Sequence, residues 1–147
     1  MHRRSILAGL LAGGGLFASA RAPRAQAGAI NKAKVVYHLC DLDKVRFVLG
    51  NIRNHVDGMG GADKVTIALV VHGPALKAFH AAGANPDVAR RTGEFANSGV
   101  ELSACGNTMR AQKVTLDDLL PGFVREDRGG VVRIAELQSL GYAYLRP

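Results

Sequence analysis

The chain has 147 residues, of which 48% are hydrophobic and 21% charged, enough for one domain with a single core. Its formal charge is +7, but four of the 19 basic residues and none of the 12 acidic ones precede residue 28, which leaves +3 for the remainder. With no Trp and no basic run, that excess excludes a nucleic-acid groove with stacking aromatics. Two cysteines do not make a disulfide framework.

The amino terminus has the pattern of an export signal. Arg3 and Arg4 precede a weakly hydrophobic, glycine-containing stretch, and small residues follow up to Ala27. The stretch is too short and too glycine-rich to span a bilayer. We therefore expect a twin-arginine signal over residues 1–27 that is cleaved near Ala27, and one domain over residues 28–147. The expected location is the periplasm, with no stable membrane anchor after cleavage.

Apolar runs alternate with amphipathic segments after the signal, a pattern typical of a parallel sheet with helices on both faces. Asp41 and Asn85 are the predicted caps of the helices that follow them. In chain order, the first half predicts a strand over 34–40, a helix from 45 to the glycines at 58–61, a strand over 64–71, a short helix over 75–81 and a helix over 86–97.

The second half continues the alternation and ends in a closing strand. The predicted elements are a strand over 100–104, a helix over 107–112, a helical turn over 115–120, a strand over 123–126, a helix over 131–140 and a strand over 142–145. Helical spacing in the last helix predicts four inward residues: Val131, Ile134, Leu137 and Leu140.

Cys105 lies where a predicted strand meets a predicted helix, and Gly106 follows it. A thiol at the carboxyl end of a strand, facing a helix amino terminus, is in a setting that lowers its pKa and exposes its sulfur. Free cysteines are also among the most buried residues and act as small hydrophobes. The local sequence leaves both interpretations open.

Five segments in order resemble the DsrE/DsrF-like sulfur-relay family, in particular its small exported members: KVVYHL, LGNIRNHVDG, TIALVVHGPALKAF, GVELSACGNTM and LQSLGYAYLRP. The resemblance implies an α/β fold, a three-layer α/β/α sandwich around a mainly parallel five-stranded sheet in the order 4-3-2-1-5. It also implies homo-oligomers, either trimers or hexamers. The family's functional cysteine maps onto Cys105, which favours the reactive thiol.

The implied strand order places His72 and Cys105 at the ends of neighbouring strands, about 4.8 Å apart. His72 can then stabilise the thiolate or carry its proton, or it can simply cap the strand end. Gly106, Asn107 and Thr108 are the predicted substrate-binding residues, because amides at a helix start orient a persulfide anion. Plain helix capping is the alternative for Asn107.

Cys40 is the second thiol, at the end of the first predicted strand. In the order 4-3-2-1-5 its strand lies about 10 Å from that of Cys105, too far for a disulfide. An order 2-1-3 would make the two cysteines neighbours. We interpret Cys40 as a secondary or structural thiol.

No cofactor is expected. His38, Cys40, His72 and Cys105 offer soft ligands at one end of the sheet, but no CxxC or HxxxH spacing supports a metal site, and His38 is interpreted as a packed histidine. The glycines at 58–61 precede a strand, whereas phosphate loops follow one.

The leading hypothesis is an exported sulfur-relay protein. Cys105 would accept sulfane sulfur from a donor as a persulfide and pass it to an acceptor protein, as a sulfurtransferase or a stoichiometric carrier. One alternative is a non-catalytic oligomeric binding or assembly module in which Cys105 is buried. The other is a thiol redox sensor that uses Cys40 and Cys105, which depends on the order 2-1-3.

Overall fold

The computed structural model describes residues 32–147, so the predicted signal and its cleavage site lie outside the described residues. The strands are β1 (Ala33–Leu39), β2 (Val65–Val71), β3 (Glu101–Cys105), β4 (Phe123–Glu126) and β5 (Ala143–Leu145). The α-helices are α1 (Val45–Gly58), α2 (Pro86–Asn97), α3 (Gly106–Gln112) and α4 (Gly130–Ser139), and 3-10 helices span Leu42–Lys44, Gly73–Phe79, Ala81–Gly83 and Leu116–Asp118. None of the helices in this part of the chain has the length and apolar character needed to cross a membrane.

All five strands are parallel and follow the order β4-β3-β2-β1-β5. The predicted order is confirmed, and the alternative order 2-1-3 is wrong. β2 is central and has six buried residues out of seven, because helices cover both of its faces. The carboxyl ends of β1, β2 and β3 therefore meet at one edge of the sheet.

Helices cover the two faces of the sheet unequally. α1, α2, α3 and the long 3-10 helix pack on one face around the larger hydrophobic core. α4 lies on the other face, where Ile134 and Leu137 contact Val36, Ala68 and Val70. We call this second side the α4 face.

Side chains alternate along a strand, so position and register assign each residue to a face. Ser103 pairs with Val70, and Cys105, two residues later, points to the same side. His38, two residues after Val36, shares that side as well. The sheet thus places the candidate site on the α4 face.

The two predicted helix caps differ in outcome. The Asn85 side chain accepts a hydrogen bond of 2.9 Å from the amide of Asp87, as expected of a cap. The Asp41 side chain makes no cap bond to the 3-10 helix that follows it. Its carboxylate instead accepts a bond of 3.1 Å from Arg146, so the prediction for Asp41 is wrong.

The predicted inward face of α4 is half correct. Ile134 and Leu137 are buried, but Val131 and Leu140 are 66% and 61% exposed. Gly130, which begins the helix, is buried against Cys105 and Val70 and sets the rotation of the helix. With Gly130 inward, positions 134 and 137 follow at helical spacing and Val131 turns to the surface.

Candidate functional site

Cys105 is the last residue of β3 and immediately precedes α3. It is only 6% exposed, so the expectation of an exposed sulfur is wrong. The start of α4 covers it, because a Cβ built at Gly130 would lie 3.3 Å from the Cβ of Cys105. The site is therefore a thiol enclosed between β3 and α4.

Several hydrogen-bond donors surround the Cys105 sulfur. Burial raises the pKa of this thiol, but hydrogen bonds from the Gly130 amide, the hydroxyl and amide of Thr108 and the Asn107 amide outweigh burial and lower the pKa. Donors of this kind stabilise the anion because they need no reorganisation when the proton leaves. The arrangement favours a thiolate at a buried position.

Glycines make this close packing possible. A Cβ at Gly106 would lie 2.8 Å from the carbonyl oxygen of Glu126 and 3.2 Å from the Cα of Asp127. Gly129 has a φ of 104°, which favours glycine, and a Cβ there would lie 2.7 Å from Nδ2 of Asn107. The loop between β4 and α4 can therefore reach the start of α3.

Sequence reasoning did not identify Gly129 and Gly130 as part of the site. Their signal is a glycine pair between a predicted strand and a predicted helix, DRGGVV. The pair lies 24 residues after Cys105, and only the β3–β4 pairing brings it to the sulfur.

Thr108 connects Cys105 with the end of β2. Its Oγ1 accepts a hydrogen bond of 2.9 Å from the Gly73 amide, and the same hydroxyl contributes to the lowered pKa of Cys105. Gln112 of the same helix donates to the Gly73 carbonyl oxygen over 2.9 Å. The turn after β2 and the start of α3 are thus held as one unit.

His72 lies at the end of β2, next to Cys105 across the β2–β3 pair, and both contact the position of Gly130. The His72 and His38 rings face each other nitrogen to nitrogen, with an interplanar angle of 20°, centroids 4.7 Å apart and Nε2 atoms 2.5 Å apart. Within residues 32–147, His38 is the hydrogen-bond partner of the His72 ring. The role of His72 in proton transfer to Cys105 stays a prediction.

The two imidazoles favour the neutral form. Burial lowers the pKa of His72, and the charge of Arg146 lowers it further. Burial, His72 and Arg146 lower the pKa of His38 in the same way. His38 was interpreted as a packed histidine, but it is half-buried and also pairs through Nδ1 with the Tyr144 hydroxyl at 2.6 Å.

Cys40 follows β1 and is half-buried. Burial and the neighbouring Asp41 raise the pKa of this thiol, whereas Arg146, which donates to its sulfur over 3.1 Å, acts against them. The ligand atoms of His38, Cys40 and His72 all lie within 4.8 Å of one another, and we call these three residues the β1–β2 cluster. Both cysteines are free.

Fold and site together define a class of small α/β/α proteins that carry a hydrogen-bonded cysteine at the end of the third strand of a parallel sheet. The model of the DsrE/DsrF-like family matches residues 30–147. The chain belongs to this family.

Solved structures agree with the fold. A protein of unknown function from Methanobacterium thermoautotrophicum is 29% identical, with a TM-score of 0.68 and coverage of 78% of this chain and 99% of that one. A conserved protein of unknown function from Bacteroides thetaiotaomicron is 17% identical, with a TM-score of 0.58 and coverage of 78% and 94%. The ychN protein from E. coli is 12% identical, with a TM-score of 0.55 and coverage of 80% and 100%. No curated protein matches the chain.

Proposed function

We propose that this chain is a sulfur-relay protein in which Cys105 carries sulfane sulfur as a persulfide. Membership in the DsrE/DsrF-like family supports sulfur relay in general. The observation that carries the persulfide step is the set of donors on the Cys105 sulfur, from Gly130, Thr108 and Asn107, which lowers the pKa of the thiol. Sulfur exchange requires a thiolate that can act both as nucleophile and as leaving group.

The proposed reaction moves one sulfur atom between thiols. The Cys105 thiolate attacks the outer sulfur of a donor persulfide or polysulfide, the sulfur–sulfur bond of the donor breaks, and the donor leaves as a thiolate. A thiolate of the acceptor protein then attacks the outer sulfur of Cys105, whose own sulfur leaves as the thiolate. The two exchanges balance without an oxidant, a reductant or a cofactor.

The residues next to Cys105 have separate roles in the proposed reaction. The amides of Asn107 and Thr108 and the Thr108 hydroxyl hold the negative charge of the sulfur before attack and after departure. Gly106 lets the backbone at Glu126 approach the start of α3, since no Cβ fits there. Donor and acceptor reach Cys105 when the loop between β4 and α4 moves, because this loop covers the sulfur.

The 6% exposure of Cys105 favours one competing function, an oligomeric binding or assembly module with an inert thiol. The redox-sensor hypothesis required the strand order 2-1-3. It is not supported, because β2 lies between β1 and β3 and separates Cys40 from Cys105. Neighbouring strands are about 4.8 Å apart, so the two strand ends lie beyond the reach of a disulfide.

Mass spectrometry of the full chain after treatment with polysulfide tests the proposal. We expect a gain of about 32 Da, one sulfur atom, on the peptide that contains Cys105. The gain disappears in Cys105→Ser and persists in the matched variant Cys40→Ser. Transfer of the added sulfur atom to a small acceptor thiol completes the test. An unmodified Cys105 in folded protein would contradict the relay and favour the module.

We propose that the protein is exported by the twin-arginine route to the periplasm, supported by Arg3, Arg4 and the small residues before position 28. Cell fractionation of the full chain should recover a form that begins after Ala27. The Arg3→Lys/Arg4→Lys double variant should remain in the cytoplasm at its full length. An unprocessed wild-type chain would contradict export.

A further inference from the structure

The β1–β2 cluster is built by the backbone. Leu39 pairs with Val71 in the parallel register, so the residues that follow, Cys40 and His72, leave the sheet side by side. The His72 amide donates to the Leu39 carbonyl oxygen over 3.0 Å, and the Ala75 amide donates to that of Cys40 over 3.0 Å. His38 lies two residues before Cys40 and points to the same face.

The cluster offers two imidazole nitrogens and one sulfur, a ligand set typical of zinc. With the usual zinc–nitrogen and zinc–sulfur bond lengths, tetrahedral coordination separates two nitrogens by about 3.3 Å and a nitrogen from a sulfur by about 3.5 Å. The Nε2 atoms of His38 and His72 are 2.5 Å apart, and all three ligand atoms lie within 4.8 Å of one another. The two Nε2 atoms are closer than in a tetrahedral site and move apart by about 0.8 Å when a cation enters between them.

Outer hydrogen bonds already orient two of the three side chains. Nδ1 of His38 pairs with the Tyr144 hydroxyl at 2.6 Å, which leaves Nε2 facing His72. Arg146 donates to the Cys40 sulfur over 3.1 Å and to the Asp41 carboxylate over 3.1 Å. Partners of this kind fix ring orientation and hold a thiolate at metal sites.

We propose that His38, Cys40 and His72 bind one zinc-class divalent cation, with a fourth position left for water or a small ligand. When the cation binds, each neutral imidazole coordinates it through Nε2 and carries its single proton on Nδ1, so the imidazole that held the proton between the two Nε2 atoms loses it there and regains one on Nδ1 from solvent. Tyr144 accepts the hydrogen bond from Nδ1 of His38. The Cys40 thiol releases its proton to solvent as its sulfur coordinates. The site excludes Cys105, so it is a second site beside the proposed sulfur carrier.

Titration of the full chain with Co²⁺, a spectroscopic substitute for Zn²⁺, tests this inference. We expect one Co²⁺ per chain, intense visible bands of four-coordinate cobalt and a thiolate-to-metal charge-transfer band. Cys40→Ser abolishes the charge-transfer band, and Tyr144→Phe weakens binding about 10- to 100-fold. His38→Gln and His72→Gln weaken binding more than Tyr144→Phe does.

Two control variants separate this site from the rest of the chain. Cys105→Ser removes the other thiol, and His80→Gln removes a histidine that pairs with Gln112 outside the cluster. Both should bind Co²⁺ as the wild type does. Circular dichroism shows which variants remain folded. If a variant does not fold, the wild type still tests the site, because bound Zn²⁺ should protect the Cys40 thiol from alkylation.

Three results would overturn the site: no stoichiometric Co²⁺ binding, six-coordinate cobalt without a sulfur ligand, or a charge-transfer band that depends on Cys105 instead of Cys40. The first two results do not bear on persulfide formation, which depends on Cys105 and is expected to persist in Cys40→Ser. The two proposals therefore fail independently.

Discussion

The two thiols lie at the same edge of the sheet and have opposite environments. Donors from Gly130, Thr108 and Asn107 lower the pKa of Cys105 despite its burial. Burial and Asp41 raise the pKa of Cys40. As the pH rises, Cys105 therefore ionises before Cys40, which suits one thiol to nucleophilic exchange and leaves the other protonated until a metal or another partner displaces its proton.

Thr108→Val should raise the pKa of Cys105, because the variant loses the hydroxyl that donates to the sulfur. The ultraviolet absorbance of the thiolate, followed against pH in a Cys40→Ser background, measures the shift. Thr108→Ser keeps the hydroxyl and should titrate like the parent. Equal titration of the valine and serine variants would contradict the role of the hydroxyl.

The sequence located Cys105 and part of its surroundings. A thiol between an apolar strand and a helix start can be recognised locally, and so can the amides of Asn107 and Thr108. The Gly130 donor comes from a distant loop, and the contact between His38 and His72 depends on the register of β1 against β2. Neither contact leaves a spacing pattern such as CxxC or HxxxH in the sequence.

At the level of secondary-structure elements, α3 begins at Gly106, a position with no room for a side chain. Gly106→Ala should destabilise the protein by about 1–3 kcal/mol, because the new Cβ meets the backbone of Glu126 and Asp127, which cannot rotate away. Gly93→Ala in α2 is the matched control, since nothing lies within 4 Å of its Cβ position. That control should stabilise the helix by up to about 1 kcal/mol. Urea denaturation measures both, and a neutral Gly106→Ala would show that the loop after β4 yields.

The inward face of α4 gives a second prediction at this scale. Ile134 is 6% exposed, so Ile134→Ala should cost about 2–5 kcal/mol in the free energy of unfolding. Val131→Ser, at a position 66% exposed, should change it by less than about 0.5 kcal/mol. Periodicity alone placed Val131 inward because it counts apolar residues and ignores glycine. Similar losses of stability in the two variants would support the inward position of Val131 that the sequence predicted.

At the level of the whole molecule, the strands and helices followed from alternating apolar runs, and their bounds differ from the predicted ones by a residue or two. The order of the strands did not follow from those runs. It came from the family resemblance, because several orders bury the same apolar residues equally well. The order decides whether Cys40 and Cys105 are neighbours, and with β2 between their strands the redox-sensor hypothesis loses its structural basis.

We propose that the chain forms a homo-oligomer, a trimer or a hexamer, through the α4 face. One helix covers that face, and four exposed apolar residues surround it: Val131, Leu140, Val124 and Tyr144. Val124 and Tyr144 point to this side because they pair in register with Ser103 and Val36. Exposed apolar surface of this kind is stabilised when a second copy covers it.

Val131→Glu should therefore shift the assembly towards monomer, because a carboxylate cannot be desolvated in an apolar contact without a partner. Phe47→Glu is the matched control, since Phe47 is 57% exposed on α1, which packs on the opposite face of the sheet. Sedimentation velocity of both variants and of the wild type measures the outcome. A monomeric wild type would contradict oligomerisation, and dissociation of Phe47→Glu with an intact Val131→Glu would move the interface to the other face.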